Sequence, residues 1–187
     1  MNYEAFYQKL FEPVIAAYGP LDPKTRFHIV GFDAGGQVNY RVVASPADRE
    51  FVTCVTCELA PRPEQQPNSV GTYELLMTCD DESWCSTTLT DIAQMSLQAA
   101  FDHGHSLDIR PWVGPAFPVQ GIVFEQFAAF SAGSRGVAIL RCHGVTRSEL
   151  EFAQQSSVDQ LFDRLQAAGI YPRASVHRLS SVAKPLL

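Results

Sequence analysis

Two short spacings in this chain could hold a metal or a reactive thiol, Cys54-Val55-Thr56-Cys57 and His103-Gly104-His105. A CxxC pair supplies two thiolates, and a tetrahedral zinc ion needs two more ligands. Cys79, Cys85, His103 and His105 are the nominal sources. CVTC, however, lies inside the strand pattern FVTCVTCEL, and residues three apart on a strand point to opposite faces. The two thiols therefore do not converge on one ion, and no metal or cofactor is expected. A thioredoxin-like role is weaker still, because its first thiol belongs at a helix N-terminus. The HxH pair could aim both imidazoles to one side, with Asp102 or Asp108 as a carboxylate. It follows a helical pattern, where histidine also interacts favourably with terminal carbonyls. Capping or solvent exposure is the expectation there.

A thiol–imidazole pair is the remaining catalytic candidate. Cys85 lies near a helix start, which favours the thiolate, and His105 or His143 could serve as its base. No spacing brings these residues together, and no G-x-S-x-G, Walker or H-E-x-x-H motif is present. Gly31 to Gly36 lacks both the G-x-G-x-x-G spacing and a following helix. A hydrolase using Cys85 or Cys57 with a histidine stays as the alternative to a non-catalytic chain.

The junction VGTYELLMTCDDESWCSTTL carries the strongest recognition signal. Tyr73, Leu75 and Met77 share one face of a strand, with Glu74, Leu76 and Thr78 on the other. Asp80, Asp81 and Glu82 then end the apolar run, just before Trp84. Carboxylates at this position cap the positive end of a helix, and they can also meet a basic partner. Trp84 can cover a core edge or anchor an interface. The expected contact surface joins Asp80, Asp81, Glu82 and Trp84 to the Pro111–Pro118 loop, which carries Trp112.

The elements that must position these residues follow from periodicity. Phe6, Leu10, Val14 and Ala17 mark a helix over about residues 4–17, stopped by Gly19-Pro20. A second helix is expected over 85–101, with Leu89, Ile92, Ala93, Ser96, Ala99 and Ala100 on its packed side. Thr146 and Glu149 form a T-x-x-E capping box before a third helical stretch, 147–167, broken near 156. Strand patterns cover 27–30, 38–44, 50–59, 70–78, 120–130 and 136–142, with an edge strand at 175–179. Gly35-Gly36 reads as a hairpin turn, 60–69 as a Pro-punctuated loop, and 109–118 as an ordered loop. The fold class is α/β in the α+β sense: a single domain over 1–187, with a mixed, mainly antiparallel sheet packed with helices.

Composition bounds the function. With 46% apolar and 18% charged residues, the chain can bury a sizeable core. A net charge of -6 disfavours nucleic-acid binding, which needs a concentrated positive field. Residues 1–93 hold 13 acids against 6 bases, and residues 94–187 hold 7 against 8. The first half can thus offer a negative surface to a basic protein. No run approaches the 18 or more apolar residues of a membrane span, and MNYEAFYQKLFEPV is no secretory signal. Five cysteines, an odd number, fit a cytoplasmic protein with unpaired thiols.

Gly71–Thr78 (GTYELLMT), Trp84, Leu89–Ile92 (LTDI), Gly104–Ser106 (GHS), Thr146–Ala153 (TRSELEFA) and Asp159–Leu165 (DQLFDRL) resemble, in order and spacing, the Suppressor of fused-like domain family. The resemblance runs from about Phe27 to Leu165. It implies helices packed on a mixed sheet and no catalytic reaction. The family's animal founder has a second domain and binds zinc-finger transcription factors of the Hedgehog pathway. Bacterial single-domain members occur beside polymorphic toxins and are thought to act as immunity proteins. By that resemblance the chain is expected to bind a protein partner, a basic toxin domain being the most specific version. Arg141–Val145, RCHGV, departs from the more apolar, proline-bearing approach that the family shows before its late helix.

Overall fold

In the computed structural model the described residues are 3–20, 28–31, 37–43 and 51–181. Among them one mixed sheet runs in the order β1-β2-β3-β4-β7-β6-β5. Its strands are β1 (His28–Gly31), β2 (Gln37–Val43), β3 (Val52–Thr56), β4 (Thr72–Cys79), β5 (Ser106–Asp108), β6 (Val119–Ala132) and β7 (Arg135–Thr146). Every pairing is antiparallel except β4 with β7. The helices are α1 (Tyr3–Tyr18), α2 (Glu82–Met95), the short α3 (Arg110–Val113), α4 (Arg147–Gln155) and α5 (Val158–Ala167).

Strand alternation sorts the core into two faces. Tyr73, Leu75, Met77 and Cys79 of β4 pack with Leu89, Ile92 and Ala93 of α2 on one face. Leu76 of β4 and Val137 and Ile139 of β7 turn to the other, under Phe6, Leu10 and Val14 of α1. Farther along that second face, Val123 and Val145 meet Leu150 of α4 and Leu161 and Leu165 of α5. The parallel strands β4 and β7 start side by side because Gly71 and Gly136 carry no side chain there. A Cβ on Gly71 would fall 2.3 Å from the Gly136 carbonyl oxygen, and Gly71 has φ +144°, which L side chains rarely adopt.

Several boundaries differ from the sequence expectation. Helix α2 spans Glu82–Met95 rather than 85–101. It starts early because Asp81, in an extended conformation, accepts the Trp84 amide at 2.9 Å as N-cap. It stops early because the Gln66 amide takes the Ser96 carbonyl at 2.8 Å and the Ser96 hydroxyl turns back to the Ala93 carbonyl. Ala99 is consequently exposed rather than packed. Strand β3 ends at Thr56, short of the expected 59. Strand β7 continues through the RCHGV segment to Thr146. The 109–118 loop contains the one-turn α3. No strand forms at 175–179; an isolated parallel bridge joins Cys79 to Ala174 instead. The third helical stretch, by contrast, divides into α4 and α5 at the expected break near 156, with Ser157 capping the second through the Gln160 amide at 3.1 Å. The Gly35-Gly36 turn and residues 182–187 lie outside the described residues. Among the described residues no helix is long and apolar enough to cross a membrane.

Candidate functional site

Helix α2 carries Trp84, Thr88 and Asp91 at spacings of four and three, so they share one side of the helix. Opposite them lies the segment of α3 and the turn after it. Between the two is a cleft of about 330 Å³, lined by Asp81, Trp84, Asp91, Trp112, Phe117 and neighbouring hydroxyl side chains. The Trp84 and Phe117 rings tilt against each other with centroids 6.1 Å apart. Trp112 is 38% exposed, a large apolar side chain in contact with solvent. Trp84 itself leans on the core, and its Nε1–H is buried without an acceptor among the described residues. A glycine makes room for that ring. A Cβ at Gly144 would lie 3.0 Å from Trp84 Cη2 and 2.9 Å from Val119 Cγ1.

The acids of the junction divide their tasks. Asp81 lines the cleft and caps α2. Asp80 does not line it, and its carboxylate accepts the Val176 amide at 2.8 Å, holding the C-terminal segment beside β4. Glu82 is exposed in the first turn of α2. Asp91, which the sequence reading did not single out, is half-buried in the cleft, and burial raises its pKa. Its side chain has no hydrogen bond or ion pair among the described residues. The cation of α3 is engaged elsewhere, since Arg110 pairs with Asp108.

All five cysteines are buried. Cys54 packs on the α2 face and Cys57 on the α1 face, as strand alternation dictates. Cys85 Sγ donates to the Met77 carbonyl at 3.5 Å, and burial beside Cys54 and Cys79 drives its thiol pKa well above the usual value. That shift is opposite to nucleophile activation. His143 lies on the other face of the sheet, between Phe162 and Tyr171. Burial and the nearby Arg178 push it down to about 3, so the imidazole is neutral. His105 Nδ1 accepts the Asp102 amide and His103 Nδ1 accepts the Gln126 amide, both at 3.3 Å. His103 Nε2 lies 3.1 Å from Asp159 of α5. Among the described residues no group of His, Cys, Asp or Glu side chains has metal-binding geometry.

Buried polar clusters went unread in the sequence. Arg141 donates to Glu125 at 2.6 Å and to the Tyr171 hydroxyl, with its guanidinium 4.6 Å from the Phe127 ring centre. Arg141 and His143 are two apart on β7 and so share a face, a period-two signal hidden in RCHGV. Glu149 is fully buried and accepts both terminal nitrogens of Arg178 at 2.6 Å each, plus the Thr146 amide at 2.8 Å. Glu74, also fully buried, accepts the Leu59 amide at 3.2 Å, the Ala60 amide at 2.8 Å and the Thr56 hydroxyl.

Residues 36–178 match the family Suppressor of fused protein (SUFU). Among solved structures the fold is similar to a SUFU homolog from Neisseria gonorrhoeae, at 17% identity and a TM-score of 0.63, over 97% of this chain and 96% of that one. It is also similar to a chain of the Sufu–Fu complex, at 13% identity and a TM-score of 0.70, over 96% of this chain and 91% of that one. For Drosophila Suppressor of Fused the identity is 14% and the TM-score 0.59, over 78% of this chain and 43% of that one. At these identities the likeness shows the fold. No curated protein matches the chain.

Proposed function

We propose that this chain, which belongs to the Suppressor of fused family, is a non-catalytic module that binds a protein partner through the α2–α3 cleft. The observation that carries the reading is the cleft itself. It sets two carboxylates and three aromatic rings around a concave surface, with Trp112 exposed at its edge. Aromatic anchors bordered by charge are the usual energetic centre of a protein interface. Asp81, Trp84 and Trp112 line the cleft. Glu82 extends the negative surface in the first turn of α2, while Asp80, outside the cleft, accepts the Val176 amide. The similar chain of the Sufu–Fu complex supports partner binding as the general role.

The finer reading is immunity: the chain covers the active surface of a basic toxin domain in the cytoplasm. The acid excess over residues 1–93 suits that partner. The test is binding to the product of an adjacent gene, with Trp112→Ala and Glu82→Lys variants. Trp112→Ala should weaken binding by about tenfold or more. Glu82→Lys should slow association, and the wild-type complex should weaken as salt rises. Co-expression with the neighbouring gene should restore growth, and Trp112→Ala should reduce that protection. Tight binding that neither substitution changes would place the interface on another surface. Binding without protection would leave the module standing and remove immunity.

A further inference from the structure

We propose that the α2–α3 cleft receives an arginine side chain of the partner, its guanidinium lying against the tryptophan rings and paired with Asp91. The inference rests on the protein-binding reading above and adds the chemistry of the contact.

Charge and shape point the same way. Two carboxylates line the cleft, and among the described residues no lysine or arginine does. Asp81 spends one oxygen on the Trp84 amide as helix cap. Asp91 has no partner among the described residues, and burial alone raises its pKa. A half-buried carboxylate without a cation is an electrostatic vacancy that a bound positive charge fills. Arg110, on the facing α3, does not fill it, because its guanidinium is held by Asp108. The side chains of Trp84, Trp112 and Phe117 line the same space. The volume, about 330 Å³, is near the lower end of the roughly 300–1,000 Å³ typical of ligand sites. That suits one inserted side chain better than a nucleotide-sized cofactor.

Guanidinium fits these walls better than ammonium. It is planar, weakly hydrated and stacks on indole. Its fork of N–H donors can address both oxygens of the Asp91 carboxylate at once, where an ammonium acts as a point charge.

The chain has two tryptophans, and both line the cleft, so its two indole N–H resonances report on this site directly. Titration of the isotopically labelled full chain would use acetyl-Gly-Arg-Gly-amide and the same peptide with citrulline, which keeps the shape and removes the charge. The arginine peptide should shift both indole resonances saturably, with Kd on the order of 1 mM. Citrulline should bind about tenfold more weakly or not at all, because charge-assisted contacts are lost. The variant Asp91→Asn should lose binding similarly. Asparagine keeps the shape of the side chain and removes its charge, and unchanged circular dichroism would verify that α2 is kept. Equal shifts from both peptides, no shift from arginine, or full binding by Asp91→Asn would overturn the proposal. Partner binding that depends on Trp112, combined with equal peptide shifts, would remove the guanidinium and keep the interface. Arginine-selective shifts in a chain whose partner ignores Trp112 would do the reverse.

Discussion

Glu149→Ala should cost this fold about 3–5 kcal/mol in urea unfolding, because it leaves a buried guanidinium without its anion. Arg178 is 8% exposed by side chain and Glu149 0%, and the two meet in a bidentate pair at 2.6 Å. Arg178 also donates to the Gly144 carbonyl at 3.0 Å, and the Ser181 amide reaches Glu149 at 2.7 Å. One carboxylate thus ties α4, the end of β7 and the C-terminal segment together. Typical domains have only about 5–15 kcal/mol of stability, so the loss is a large share. Arg178→Met in the same background should recover part of it, since the stranded charge is then gone. The pH dependence gives a second readout. Burial by itself raises the Glu149 pKa, but hydrogen bonds from Arg178 and its positive charge outweigh it and hold the value at about 2, below the ordinary 4.5. The folded state therefore binds this proton less readily than the unfolded chain. Its contribution is present above pH 4.5 and is lost as pH falls through about 2. Over that window the difference between wild type and Glu149→Gln should shrink by about 3 kcal/mol. A cost below about 1 kcal/mol, or a difference that ignores acid, would show that the clamp contributes little.

Much of the fold is legible because its signals are local. The α1 stripe and its Gly19-Pro20 stop lie within one stretch of chain, as does the Thr146–Glu149 box. The 156–157 break is local too, where a serine caps the next helix. Boundaries that moved were set by distant groups. The Gln66 amide ends α2 from 30 residues upstream. The expected strand 136–142 stopped short of His143, yet β7 runs on through it to Thr146. Glu125 of β6 and Tyr171 beyond α5 supply the polar contacts that make Arg141 compatible with the interior. No local window contains those partners, so alternation alone had to suggest the strand.

The candidate site was legible in a coarser way. Local chemistry marked Asp81 as a cap, and its carboxylate does accept the Trp84 amide. Pairing the acidic junction with the 111–118 segment was a spatial guess, and the cleft contains Asp81, Trp84 and Trp112 together. Within the acidic run, identity did not reveal orientation. Asp80 turns to Val176, 96 residues away, and leaves the cleft. Asp91 enters it, readable only as the residue seven positions after Trp84 on the same helix side. Gly144 carries the least visible signal. Its lack of a Cβ matters only because a ring from another element lies above it.

Glu74 should show the opposite pH behaviour to Glu149. Its carboxyl is 0% exposed and faces three donors, with no cation paired to it among the described residues. Three hydrogen bonds lower its pKa and burial raises it; burial wins, aided by the neighbouring Glu58 charge, and the value moves up to about 7. The folded state now holds the proton more tightly than the unfolded chain. The stability from Glu74 is therefore fully present below pH 4.5 and is lost as pH rises through about 7. In wild type relative to Glu74→Gln, that component should fall by about 3 kcal/mol across the window. Glu74→Leu tests the structural half separately. It strands the Leu59 and Ala60 amides and the Thr56 hydroxyl, each costing about 1–3 kcal/mol when buried unsatisfied. Those donors sit where β3 ends and the chain turns away from the sheet, so hydrogen exchange at Leu59 and Ala60 should accelerate first. If the Glu74→Gln difference is flat between pH 4.5 and 7, the carboxyl does not change protonation there. If Glu74→Leu leaves exchange at both amides unchanged, the glutamate is not what ends the strand.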